Sequence, residues 1–177
     1  MEPDSSIILL DAEGLAETLA KMASAIYSHL PKGVALAIIG IRSRGEVLAA
    51  RLVDELYKLG LSDIDVGNLD ITLYRDDLAE LGPQAIVRKT EINFDIDGQY
   101  IILVDDVLHT GRTVRASMDA LVDLGRPKAI RLAVLVERPG RELPIQADFV
   151  GVSVSKEETP VTVQLTESDG IDEVRVG

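Results

Sequence analysis

Residues 101–113 read Ile-Ile-Leu-Val-Asp-Asp-Val-Leu-His-Thr-Gly-Arg-Thr, and no other stretch limits the fold as tightly. Tyr100 to Val104 is apolar throughout, the mark of a strand covered on both faces, and such strands belong to parallel sheets flanked by helices. From Thr113 onward Val114, Met118, Leu121 and Val122 recur at helical spacing until Gly125 and Pro127 stop the pattern. The stretch is therefore a buried strand, two acids, a short loop and a helix. In a parallel sheet, ligands bind beyond the carboxyl ends of the strands. The helix N-terminus offers unpaired N–H groups and partial positive charge, so with the Thr110 and Thr113 hydroxyls the loop can hold a phosphate. Gly111 lets the backbone come close. Asp105 and Asp106 would repel a phosphate they touched, so they suit neutral sugar hydroxyls or a divalent cation beside it.

The rest of the chain repeats strand and helix. Leu15, Leu19, Met22, Ile26 and Leu30 form one helical stripe beginning near Asp11 and ended by Pro31 and Gly33. Residues 34–39 make a short apolar strand. A second helix follows, with Val47, Leu48, Leu52, Leu56 and Leu59 inward and Gly60 as its stop. Residues 65–74 alternate as a strand would, with Val66, Leu69, Ile71 and Leu73 among polar neighbours, and 129–136, 148–152 and 161–165 are further strand candidates. Residues 76–99 have no clear period. The pattern predicts a single α/β domain over 1–177, a central parallel sheet with helices on both faces.

Composition then excludes chemistry. The chain has no cysteine and two histidines, which removes disulfides, thiolate zinc sites and cysteine nucleophiles. No apolar run approaches the about 18 residues needed to cross a bilayer, and the first residues carry acids where a signal peptide carries bases; a cytoplasmic location is expected. The net charge of −12 is concentrated at the ends, since residues 1–20 hold five acids and no base, and 157–177 six acids against Arg175. Between them Arg126, Lys128, Arg131, Arg138 and Arg141 make a locally basic stretch. A P-loop is excluded, because Gly40 and Gly45 are followed by Glu46 and Val47 rather than Lys and a hydroxyl residue. No dinucleotide glycine pattern is present. An ordinary helix cap needs no paired acids, and a phosphoacceptor fold would want a further strand-end Asp.

Val104 to Thr113 resembles the phosphoribosyl pyrophosphate (PRPP) signature of the type I phosphoribosyltransferases. More narrowly, residues 70–78 (Asp-Ile-Thr-Leu-Tyr-Arg-Asp-Asp-Leu), 125–127, 132–136 and 141–144 resemble the PyrR family of bifunctional pyrimidine-operon regulators and uracil phosphoribosyltransferases; the likeness spans roughly residues 5–165. It implies a flexible lid and a small hood beside the central sheet. It also implies pentosyl transfer, in which uracil and PRPP give UMP and pyrophosphate, with magnesium carried on PRPP rather than held directly by the protein. By position, Asp105 and Asp106 are the catalytic acids at the ribose. His109, Thr110, Gly111, Arg112 and Thr113 would hold the 5′-phosphate. Ser43 and Arg44 would hold pyrophosphate together with Arg88 from a flexible loop at 76–99, and Val154 would meet uracil within a base-binding segment at 151–160. The family's regulatory half implies a homodimer or higher homo-oligomer with leader messenger RNA on Arg126, Arg131, Arg138 and Arg141.

The chain departs from the family pattern at His109, where Tyr is usual, at Gly140 and Gln146, and at residues 151–156, which lack the usual Lys, Asn and Pro. Two other readings stay open: an RNA-binding regulator whose nucleotide site senses with little turnover, and transfer to another base such as hypoxanthine.

Overall fold

The computed structural model describes residues 6–84, 89–156 and 159–177, with the backbone alone of Gln84. Helix α1 (Ala12–His29) starts where its cap predicts: the Asp11 side chain accepts the Gly14 N–H at 2.8 Å, satisfying a donor the helix cannot. Its stripe of Leu15, Leu19, Met22 and Ile26 is buried.

Five parallel strands make the main sheet: β2 (Leu36–Ile41), β3 (Ile64–Leu69), β4 (Tyr100–Leu108), β5 (Ala129–Glu137) and β6 (Phe149–Ser153), in the spatial order β3-β2-β4-β5-β6. Side chains of β4 alternate between two cores, as period two requires. Tyr100, Ile102 and Val104 join α1 and helix α2 (Arg44–Lys58) on one face. Ile101 and Leu103 join helix α4 (Arg112–Leu124) on the other. Helices cover both faces, as expected.

Several expectations need correction. The strand predicted over 65–74 ends at Leu69, because the Asp70 side chain accepts both the N–H and the hydroxyl of Thr72, at 2.9 and 2.6 Å, and turns the chain out of the sheet. Val66 and Leu73 are exposed, while Ile64, Leu69 and Ile71 are inside. Leu59 and Val122, assigned inward, are also exposed: each lies at the margin of its helical stripe, beside the last residues the core can reach. The segment 76–99 is not uniformly irregular either. It contains a short helix α3 (Leu78–Leu81), and its later part is tied into the body. Asn68 and Glu91 exchange backbone hydrogen bonds, and Ile92 and Phe94 pack on the α4-side core around buried Ile96.

A second sheet of three short antiparallel strands, β1 (Ile7–Leu10), β7 (Val161–Gln164) and β8 (Glu173–Val176), has the order β1-β8-β7. With the single-turn helix α5 (Thr166–Asp169) it forms the hood. Of its strands, the sequence pattern had suggested only β7. Among the described residues, no helix is long and apolar enough to cross a membrane.

Candidate active site

Strand β4 does not stop at Val104, as the apolar run suggested, but continues through both acids to Leu108, paired with β5. Its neighbour on the other side is shorter: the β2 ladder ends with Gly40 opposite Val104. Asp105 and Asp106 thus emerge beyond the last β2–β4 pair. Asp105 is only 7% exposed. Its carboxylate accepts the Asp106 N–H at 2.9 Å, and Asp106 accepts the Val107 N–H at 2.8 Å. Burial, and then the adjacent Asp106 charge, push Asp105 well above the usual carboxylate range. An anion so placed gains from any ligand that donates hydrogen bonds or positive charge.

The loop at 42–44 leaves β2 and enters α2 directly against these acids. A Cβ on Gly45 would lie 2.5 Å from the Val104 carbonyl oxygen, and one on Gly40 would lie 2.5 Å from the Gly45 carbonyl oxygen. Only glycines allow this backbone-on-backbone contact. Ser43 is the residue preceding α2, and its side chain makes no capping bond. Arg44 pairs with Asp169 of the hood at 2.9 Å, while its Nε is buried with no partner among the described residues. Arg42 is engaged by Glu46 at 2.7 Å, Glu91 at 3.2 Å and the Lys89 carbonyl at 2.7 Å.

The loop expected to hold the 5′-phosphate turns at Gly111, whose φ of 91° is natural to glycine, and α4 begins at Arg112. Thr110, Arg112 and Thr113 line a cleft of about 250 Å³ with Arg75, Asp76 and Asp77. Arg112 is held over it by Asp76 at 2.5 Å and Glu142 at 2.7 Å. The Thr110 Oγ1 accepts the Arg112 N–H at 3.3 Å. A second hollow, of about 310 Å³, lies at the ends of β5 and β6 between Glu137, Arg138, Pro139, Arg141, Ser153, Val154 and Ser155. Val154 is fixed there by its N–H to the Glu137 carbonyl at 2.8 Å.

The two loops and the acid pair named from sequence therefore sit along the carboxyl edge of one sheet, with Val154 at its β6 end. Arg88 lies outside the described residues. The four arginines proposed for RNA do not cluster. Arg126 and Arg131 lie at the start of β5, Arg131 stacked 5.6 Å over Tyr100, whereas Arg138 and Arg141 follow its end. The seven-residue step from Arg131 to Arg138 puts these groups roughly 23 Å apart. Asp76, Glu142 and Asp169 were missed from sequence, because acids in surface segments carry no periodic signal. Among the described residues no three acids or histidines form a metal cluster.

Comparison with known proteins accords with this geometry. Residues 7–169 match the phosphoribosyl transferase domain. A protein of Deinococcus deserti named "Bifunctional protein PyrR" is 49% identical, covering 95% of this chain and 92% of its own. A protein of the same name from Thermus thermophilus is 48% identical over 95% and 93% of the two chains, and one from Akkermansia muciniphila 44% identical over 98% and 97%. Among solved structures, a hypoxanthine-guanine phosphoribosyltransferase of Bacillus anthracis superposes with a TM-score of 0.73 at 20% identity, covering 96% of each chain, a likeness of fold alone.

Proposed function

The chain belongs to the phosphoribosyl transferase family and, within it, to the PyrR proteins, and on that premise we propose that it joins uracil to PRPP, giving UMP and pyrophosphate. The observation that carries this reading is the acid pair at the end of β4, with Gly45 packed on its backbone and the phosphate loop continuing the same strand.

PRPP fits along the sheet edge with its 5′-phosphate on the amides and hydroxyls of 109–113 and its ribose hydroxyls on Asp105 and Asp106. Its pyrophosphate lies toward Ser43 and Arg44, where the orphaned Arg44 Nε can donate to a leaving oxygen. Magnesium enters as part of the substrate, bound to pyrophosphate, and supplies charge neutralisation. Bond breaking at the anomeric carbon develops positive charge on the ribose, and the two carboxylates stabilise it while the loops hold the reactants in line. The base occupies the hollow beside Val154, where peptide groups of β6 and its continuation read the uracil edge. The protein acts in the cytoplasm as a homo-oligomer, and its regulatory half binds pyrimidine leader RNA in response to UMP. Arg126, Arg131 and Arg138 are the candidate RNA contacts, read by gel shift at low salt.

Pyrophosphate release from magnesium PRPP, with uracil added or omitted, tests the transfer. Wild type releases pyrophosphate only with uracil, and Asp105→Asn/Asp106→Asn lowers the rate by about 100-fold or more. Equal rates in the double variant would overturn the assignment. Turnover with hypoxanthine in place of uracil would move the activity to another base.

A further inference from the structure

A loop that aims its N–H groups at a phosphate turns its carbonyls the other way, and carbonyls withdrawn from water need donors. In this chain residues 141–145 supply them. The Arg141 Nη1 donates to the His109 carbonyl at 2.5 Å. The Glu142 and Leu143 N–H groups both donate to the Thr110 carbonyl, at 2.9 and 3.1 Å. Ile145 closes on Gly111, whose missing Cβ would stand 3.0 Å from the Ile145 Cγ1. The Glu142 carboxylate then holds the Arg112 Nε at 2.7 Å. Four consecutive residues of the phosphate loop are thus gripped from behind by one segment.

Arg141 does more than its neighbours. Its Nη2 donates to the Glu137 carboxylate at 2.9 Å, and its Nη1 is shared with the Arg138 carbonyl at 3.2 Å. Glu137, Arg138 and Arg141 also wall the hollow beside Val154. A single planar guanidinium, its terminal nitrogens both directed inward, therefore fastens the phosphate loop to the wall of the base pocket. Lysine could not fork in this way.

We propose that Arg141 is a positioning residue of the transfer reaction, setting the phosphate loop relative to the base pocket so that the anomeric carbon and the base nitrogen meet in line. This role rests on the proposed function for its reaction, but its binding half concerns PRPP alone. It differs from an RNA contact, which would leave PRPP affinity untouched.

The test pairs calorimetric titration of magnesium PRPP with steady-state turnover in wild type, Arg141→Gln, Arg141→Lys and Glu137→Gln. Arg141→Gln is expected to weaken PRPP about tenfold, the loss of one charge-assisted hydrogen bond at the loop, with binding stoichiometry still one. Arg141→Lys, which keeps a single cationic donor, recovers part of that affinity, and Glu137→Gln, which only loosens the guanidinium, costs about threefold. Unchanged PRPP affinity in Arg141→Gln overturns the proposal, as does a stoichiometry that falls with the folded fraction while the affinity of the remainder is normal. Weakened RNA binding at unaltered PRPP affinity overturns it too. Should wild type bind PRPP without turning over uracil, the proposed reaction fails, yet the calorimetric comparison still decides for or against Arg141.

Discussion

The phosphate loop and the pyrophosphate loop occupy the same sheet edge but are anchored differently. Residues 109–111 are held by main-chain donors, one guanidinium and the packing of Ile145 on Gly111, and only Arg112 at the loop's end is held by ion pairs, with Asp76 and Glu142. Around the pyrophosphate loop, ion pairs dominate: Arg42 with Glu46 and Glu91, and Arg44 with Asp169. Two turns further along α2, Arg51 joins Glu167 at 2.5 Å and Asp172 at 2.7 Å. Hydrogen bonds between neutral groups and close packing respond little to salt or pH, whereas partly exposed ion pairs are worth about 1 kcal/mol or less each and are screened. The first loop is preorganised, and the second can trade partners. On the proposed function, Arg44 would leave Asp169 for a pyrophosphate oxygen at small cost, which suits the end of the substrate that departs.

The sharpest way to break this comparison is at Gly111. Gly111→Ala places a Cβ against Ile145 in a backbone region that favours glycine, and PRPP affinity measured by calorimetry should fall by about 10-fold to 100-fold. A near-normal value would mean that the loop is not preorganised. A smaller effect is expected at the hood, where Asp169→Ala should change the PRPP KM by about threefold in low salt, the difference vanishing near 1 M salt. A salt-independent change there would remove the contrast between the loops.

The smallest expected effect is on acid stability. Hydrogen bonding to Arg51 is the largest influence holding Asp172 down, from an ordinary 3.8 to about 2, and Glu167 is lowered by the same partner. Folded carboxylates with depressed values add stability above their unfolded values, and that contribution is lost as the pH falls through the folded ones. Thermal melts of wild type and Arg51→Gln should therefore differ at pH 6 and converge between about pH 4 and pH 2. A gap that persists at pH 2 would show that Arg51 acts through packing instead.

How much of this could be read in advance varied with the kind of signal. The acid pair, Gly111 and the hydroxyls stand in one unbroken stretch, so the sequence displayed them together, and the buried stripe of α1 followed from spacing alone. Strands β1 and β8 are four residues long, too short for alternation to separate from chance. The acids near the C-terminus were legible only as part of the net negative charge. Glu167, Asp169 and Asp172 instead meet Arg44 and Arg51 across more than a hundred residues of sequence. Arg141 was legible as a cation but not as a buttress, because the His109 carbonyl it reaches lies 32 residues away and only the folded chain brings the two together.

The contact of Gly45 with the backbone of β4 bears on how such a protein can diversify. With no side chain between them, the acid pair and the pyrophosphate loop form one rigid piece, and a substitution at Gly40 or Gly45 shifts both at once. Selection for a different acceptor base has little freedom there. It has more at residues 153–155, where exposed serines flank Val154 at the open end of β6. On the proposed function, the handling of the activated sugar is accordingly constrained by geometry, and the choice of base falls to a short, editable margin.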